Sequence, residues 1–205
     1  MSWPSAAQLR GKRYLLIEYC CSPNSVLAAE APCDAAVLRL TEELDVTQQA
    51  HVDKVLGVIQ LAQSLNVPVA LWAAMPCTGG STLQNINIAR HGVTDKLRSH
   101  WKLFKSLWTA FQRLAYAVQD TDGLVAIEWP VRCAYWRDAR VERFQVKCGL
   151  SFKALASACA FGMRPQRPPT LQVSLLGRYG ALARTVLPSR QRSRGVVRGT
   201  TSMFP

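Results

Sequence analysis

Cys77 and Glu128 are the residues of this sequence whose types and positions best suit chemistry. Cys77 follows Pro76 and precedes Thr-Gly-Gly-Ser, directly after an apolar run of strand length. In such a loop, backbone amides can stabilise the thiolate and make it a nucleophile, while the glycines let the backbone approach a flat ligand. The alternative is a turn cysteine with no chemical role.

Glu128 ends the next apolar run, Leu124 to Ile127, and is followed by Trp129 and Pro130. Because parallel strands end at the same edge of a sheet, Glu128 can lie beside Cys77. A carboxyl group held by Trp129 and Pro130 away from water would have a raised pKa and could donate a proton. Taken alone, Glu128 is an ordinary strand-end acid; opposite Cys77 it is a candidate partner.

Short apolar runs alternate with helical patterns along the chain. The clearest helix is the stripe from Leu97 to Val118, in which apolar residues recur at steps of three and four. This alternation predicts an α/β fold, a mostly parallel sheet with helices on both faces, in which ligands bind at the carboxyl ends of the strands. The predicted strands are Tyr14–Cys20, Ala35–Leu40, Val67–Met75, Leu124–Ile127, Phe152–Ala156 and Leu171–Leu176.

The composition fits one globular domain with a real core. The chain has 205 residues, of which 49% are hydrophobic and 19% charged, and its longest uncharged apolar run is too short to cross a bilayer. Seven cysteines without C-x-x-C spacing predict reduced thiols in an intracellular protein, in nucleus or cytoplasm, and no metal site. We divide the chain into an N-terminal extension (1–13), the α/β domain (14–187) and a flexible basic arm (188–205).

The net charge of +12 is unevenly distributed. Residues 1–142 hold 14 Lys/Arg and 13 Asp/Glu, whereas residues 143–205 hold 11 Lys/Arg and no acid. Such a basic end is attracted to polyanions, of which nucleic acid is the commonest inside cells. We therefore expect residues 143–205, and the arm in particular, to make the principal phosphate contacts; the alternative is a tail that only adds solubility.

These segments, in their order, resemble the catalytic half of the cytosine-C5 DNA methyltransferase family, which has an S-adenosylmethionine-binding α/β core. That family's Asp-Leu-Phe-Cys-Gly-x-Gly-Gly turn is similar to residues 18–25, and its Pro-Cys-Gln-x-x-Ser loop to residues 76–81. Its Glu-Asn-Val is similar to residues 128–130, and its later Tyr-Gly-x-x-Gln-Arg-Arg to residues 161–167. The resemblance extends over residues 15–177.

The resemblance implies a reaction, a cofactor and a partner. The substrate would be cytosine in nucleic acid, DNA rather than RNA, and the cofactor S-adenosylmethionine. Cys77 would attack C6 of a flipped-out cytosine, Glu128 would contact N3 and the exocyclic amine, and Arg167 would join them as a catalytic residue. Glu42 or Glu43 would hold the cofactor's ribose. The implied cofactor-binding residues are Glu18, Tyr19, Cys20, Cys21, Ser22, Asn24, Ser25, Glu42, Asp45 and Pro76.

Three departures from the family pattern support a second hypothesis. The first turn has lost its glycines, Trp129 replaces the asparagine of Glu-Asn-Val, and only 38 residues follow Arg167, so we expect the family's long target-recognition region to be missing. The second hypothesis is a catalytically decayed scaffold that acts as a basic nucleic-acid-binding module within a larger polyprotein or assembly. A third keeps Cys77 as nucleophile but changes the substrate to RNA or another molecule.

Overall fold

The strands of this protein form one six-stranded sheet in a computed structural model, which describes residues 3–120, 123–150, 152–157 and 170–176. The strands are β1 (Tyr14–Tyr19), β2 (Ala35–Leu40), β3 (Val69–Ala73), β4 (Leu124–Pro130), β5 (Phe152–Ser157) and β6 (Thr170–Leu176). Their order across the sheet is β2-β1-β3-β4-β6-β5. The first four are mutually parallel, whereas β6 runs antiparallel to both β4 and β5.

Helices connect the parallel strands, so the predicted α/β fold with a mostly parallel sheet is confirmed. The helices are α1 (Ala6–Leu9), α2 (Val26–Ala29), α3 (Gln49–Ser64), α4 (Leu83–His91), α5 (Asp95–Gln119) and α6 (Ala139–Lys147). Two short 3₁₀ helices, Thr78–Gly80 and Ala134–Arg137, follow β3 and β4. None of the described helices has both the length and the apolar character needed to cross a membrane.

The two faces of the sheet carry cores of different size. Side chains alternate along a strand, so Leu15 and Ile17 of β1 point to one face, here called the main face, and Tyr14 and Leu16 to the other, the second face. Helices α3, α5 and α6 supply most of the partners of the main face. On the second face, Leu27 of α2 packs against a smaller cluster, so described helices lie on both faces.

Helix α5 connects the main core to the carboxyl edge of the sheet. It begins where the Thr94 hydroxyl accepts a hydrogen bond from the Leu97 amide at 3.2 Å, which caps its first turn. The predicted apolar stripe is buried against β3 and β4, and burial of each large side chain stabilises the fold by roughly 1.5–3 kcal/mol. Its N-terminal half packs against the Thr78–Gly80 turn, so that half lies beside the end of β3.

The ends of the chain differ in what the structure describes. In the predicted extension 1–13, the Leu9 side chain is fully buried in the main core, so this segment contributes to the domain's packing. All six cysteines of the described ranges are free thiols. Arg167 and the predicted arm, residues 188–205, lie outside the described residues.

Candidate functional site

The strand order places a crevice between the ends of β1 and β3. Strand β2 lies on one side of β1 and β3 on the other, so the chain crosses over at this point and the loops after the two strands leave in different directions. Ligands of open α/β sheets bind at such a switch point. The two loops concerned, residues 20–25 and 74–82, are those singled out in the sequence.

Four side chains on the second face form a line across the parallel strands near their carboxyl ends. Glu18 on β1 is the register partner of Arg39 on β2 and of Trp72 on β3. Glu128 lies on β4, two residues beyond Ala126, which is the register partner of Trp72. We call Arg39, Glu18, Trp72 and Glu128 the polar row.

Glu18 is a buried acid of which one carboxylate oxygen makes no hydrogen bond among the described residues. Only 2% of the residue is exposed, and the Ser25 hydroxyl donates to its Oε1. Its Oε2 lies 3.7 Å from Arg39 Nε, and neither atom has a hydrogen-bond partner among the described residues. Burial raises the pKa of Glu18, although Ser25 and Arg39 act in the opposite direction. Oε2 is therefore a buried acceptor without a hydrogen bond, whose only charged neighbour among the described residues is Arg39, at ion-pair distance.

Glu128 is also shielded from water, as the sequence predicts, but by a different tryptophan. Trp72 Nε1 donates to Glu128 Oε2 at 3.0 Å, and burial raises the pKa of the carboxyl group above its ordinary value while this hydrogen bond lowers it. The prediction that Trp129 holds Glu128 is wrong. The Trp129 side chain is buried on the main face, where its Nε1 donates to the Met75 carbonyl at 2.9 Å.

Cys77 is half-buried at the start of the Thr78–Gly80 turn, where its carbonyl accepts from the Gly80 amide at 3.0 Å. The residue packs against the main core, near Cys133 and Tyr135. Burial raises the pKa of its thiol. A backbone hydrogen bond at Cys77 acts in the opposite direction, as expected for a thiolate stabilised by loop amides, but burial has the larger effect.

The two glycines of this turn make room for an aromatic ring of the protein itself. A Cβ on Gly79 would lie 2.5 Å from Tyr135 Oη, and one on Gly80 would lie 2.8 Å from Cys133 Sγ. The Tyr135 ring lies against both glycines and stacks on Phe104 with centroids 3.7 Å apart. The flat group that these glycines accommodate in the structure is thus Tyr135.

Cys77 follows β3 and Glu128 lies near the end of the neighbouring parallel strand β4, and the Trp129–Met75 hydrogen bond connects the β3 loop to β4. They do not pack on the same side, because Cys77 contacts the main core whereas Glu128 belongs to the polar row of the second face. A ligand that contacts both residues must therefore lie over the carboxyl edge of the sheet.

The predicted first turn combines buried and exposed residues. The Tyr19 side chain lies in the main core, where its hydroxyl donates to the Leu107 carbonyl at 2.7 Å. Cys20 has a φ of 60°, a left-handed conformation that is unusual for a residue other than glycine, and burial raises the pKa of its thiol to about 12. Ser22 and Asn24 are exposed, and the Ser22 hydroxyl accepts from the Asn24 amide at 3.2 Å.

The remaining predicted cofactor residues lie on the two neighbouring loops. Cys21 donates its amide to the Leu40 carbonyl at 3.3 Å, and Pro76 is exposed before Cys77. Glu42 and Glu43 are exposed in the turn after β2. Asp45 accepts hydrogen bonds from Thr47 and Gln48, of which the Thr47 hydroxyl does most to lower the pKa of this carboxyl group.

Sequence reasoning missed three residues of this site: Arg39, Trp72 and Tyr135. The period of two along each strand is the signal that could have placed Trp72 and Arg39 on the same face as Glu18. Tyr135 has no comparable local signal, because its role depends on packing against Phe104 and the Thr78–Gly80 turn. Compared with models of protein families, with curated proteins and with solved structures, the chain shows no match.

Proposed function

We propose that this protein is an S-adenosylmethionine-dependent methyltransferase-like protein that acts on C5 of cytosine in nucleic acid, DNA rather than RNA. One observation carries the proposal: Cys77 follows β3, Glu128 lies near the end of the adjacent parallel strand β4, and Glu18 is the penultimate residue of β1 on the other side of β3. A nucleophile, a carboxylic acid and a buried acceptor therefore lie near the carboxyl edge, where such sheets bind ligands.

The chemistry of the chain's own residues begins at Cys77. Its thiolate would form a bond to C6 of the base, and the electron pair of the 5,6 double bond would move toward N3, where protonated Glu128 donates its proton. S-adenosylmethionine, when bound, would supply the methyl group that C5 takes. Return of the N3 proton to Glu128 and loss of the C5 proton to water would then re-form the 5,6 double bond and expel Cys77 as thiolate.

The two raised pKa values have opposite consequences for this reaction. The raised pKa of Glu128 increases the fraction of protein in which this acid is protonated near neutral pH. The raised pKa of Cys77 keeps its thiol protonated, so the proton must leave before attack. The reactive form, with Glu128 protonated and Cys77 ionised, is consequently a minor species at every pH.

The residues of the first turn fit part of the cofactor. The buried Glu18 Oε2 without a hydrogen-bond partner among the described residues suits the ammonium group of the cofactor's amino-acid end. The exposed carboxylates of Glu42 and Glu43 suit ribose hydroxyls. Tyr19 would contribute its backbone alone, since its side chain is occupied in the core.

Transfer of tritium from labelled S-adenosylmethionine to DNA tests the proposal. We expect Cys77→Ser to abolish transfer because the hydroxyl is a far weaker nucleophile than the thiolate. Cys33→Ser, which changes an exposed cysteine before β2, is the matched control and should keep wild-type activity. Transfer that survives Cys77→Ser would reject Cys77 as the nucleophile.

A second candidate function is a decayed scaffold that binds nucleic acid without catalysis, as part of a larger assembly. The raised pKa of Cys77 and the side chains of Ser22 and Asn24 in the first turn favour it. Calorimetric titration with S-adenosylhomocysteine separates the two candidates. The enzyme should release or absorb heat on binding, whereas the decayed scaffold should give none and still bind DNA.

A further inference from the structure

Residues 1–142 are nearly neutral in total, but one segment within them has a strong excess of positive charge. Residues 83–119, which contain α4 and α5, hold six Lys/Arg and one acid, whereas residues 1–82 hold five Lys/Arg and seven acids. The excess therefore lies on a well-defined part of the fold and is independent of the basic region 143–205. A concentration of one charge on one surface attracts a partner of opposite charge.

Three of these cations share one side of α5. Arg98, Lys102 and Lys105 are spaced by four and three residues, which places them next to one another on a helix surface. All three are exposed, and at 1.5 Å per residue they span about 10.5 Å along the helix axis. We call them the α5 stripe.

Few of these charges are neutralised within the protein. Arg98 forms an exposed ion pair with Asp95 at 2.5 Å, a contact that water and salt screen strongly. Asp138, which lies near Lys105, is already held by Arg140 at 2.8 and 2.6 Å. No ion pair is formed by Lys102 or Lys105 within the described ranges.

The stripe and the candidate site lie on different sides of the same half of α5. His100 faces the Cys77 turn, since a Cβ on Gly79 would lie 3.0 Å from His100 Cβ, whereas residues two apart on a helix do not share a face. The stripe therefore begins near the carboxyl edge of the sheet, where α5 packs against the turn, but faces away from that turn.

We infer that the α5 stripe binds phosphates of the nucleic acid on which the proposed enzyme acts. The inference rests on the proposed function for the identity of the partner, and it assigns the structured domain a share of the phosphate contacts expected for the C-terminal region. One strand of duplex DNA carries a phosphate about every 3.4 Å along its axis, so the stripe is long enough to contact more than one phosphate. Sugar–phosphate backbone is thus a chemistry that matches its charge.

The double variant Lys102→Gln/Lys105→Gln, made in the full chain, tests the inference. Its matched control is Arg10→Gln/Arg13→Gln, which removes the same charge from exposed residues just before β1, at the opposite edge of the sheet. The measurement is the affinity for a fluorescein-labelled mixed-sequence DNA duplex as a function of salt concentration.

Each phosphate contact contributes about 0.9 to the slope of log affinity against log salt. We expect the α5 variant to flatten the slope by about two units relative to wild type and the control to leave it unchanged. Equal slopes for the α5 variant and wild type would overturn the inference while leaving the proposed function standing. Equal flattening in both variants would overturn it in favour of a general charge effect, and poly-glutamate that competes as well as DNA would point to an acidic protein instead.

If wild-type protein binds no duplex at low salt, the nucleic-acid partner of the proposed function fails, and this inference fails with it. S-adenosylhomocysteine binding, measured in parallel, then reports on the cofactor site separately. The outcomes of the two proposals are therefore distinguishable.

Discussion

Gly80→Ala would add a single methyl group at a crowded point of the candidate site. The new Cβ would lie 2.8 Å from Cys133 Sγ and 3.0 and 3.1 Å from two atoms of the Tyr135 ring. These neighbours cannot withdraw easily, because Cys133 is buried and the Tyr135 ring is held against Phe104. Either the turn or the ring must move.

Overpacking of this kind destabilises proteins by about 1–3 kcal/mol. For a chain of this length each kcal/mol lowers Tm by about 2–4 °C, so we expect a loss of about 2–12 °C. Gly57→Ala is the matched control, because Gly57 lies within α3 and a Cβ there would meet nothing within 4 Å. That change should raise stability by about 0.5–1 kcal/mol through the higher helix propensity of alanine.

Thermal unfolding followed by far-ultraviolet circular dichroism measures both variants. Both substitutions add one methyl group to a glycine. A lower Tm for Gly80→Ala and a higher Tm for Gly57→Ala would therefore identify the packing of the turn as the cause. The reaction rate of Cys77 with a thiol reagent, in a background of Cys33→Ser, reports whether the turn has moved. A Gly80→Ala protein whose Tm equals or exceeds that of wild type would refute the packing described for Tyr135 and Cys133.

Three further predictions concern the buried hydrogen bonds of the site. Glu128 binds its proton more tightly in the folded than in the unfolded state, so the stability it contributes is present below pH 4.5 and is lost as pH rises through its raised pKa. Glu128→Gln should therefore stabilise the protein more at pH 7 than at pH 4, as measured by urea unfolding. An equal change in unfolding free energy at both pH values would contradict the burial of Glu128. Trp72→Phe removes the donor that lowers the Glu128 pKa, so infrared titration of the carboxyl stretch should show a higher pKa, and no movement would exclude that hydrogen bond. Trp129→Phe deprives the Met75 carbonyl of its donor and should cost about 1–3 kcal/mol in unfolding free energy, whereas a neutral result would mean that water replaces it.

Elements with a strong local apolar pattern could be predicted from the sequence. Strand Ala35–Leu40 and the stripe of α5 are observed as predicted, because burial of alternating or helically spaced side chains fixes both. Helix α4 was not predicted. It has no buried residue, so it lacks the apolar stripe by which a helix is recognised.

The candidate site could be predicted in position but not in detail. Strand β4 was expected to end at Ile127, yet pairing with β6 continues it through Pro130. The alternation of side chains therefore extends past Glu128 and places Trp129 on the opposite face. For this reason Trp72, and not the predicted Trp129, contacts Glu128. That pairing joins distant parts of the chain, and no local pattern encodes it.

The packing of Trp129 makes the site observable by its optical activity. Its ring lies 5.9 Å from that of Trp108 and 4.8 Å from that of Trp136, centroid to centroid, with fixed tilts in a buried cluster. Indole rings held so close and rigid give near-ultraviolet circular dichroism that disappears when tertiary packing loosens. Since Trp129 also donates to the Met75 carbonyl two residues before Cys77, this native chromophore would report the state of the Cys77 loop without any added label.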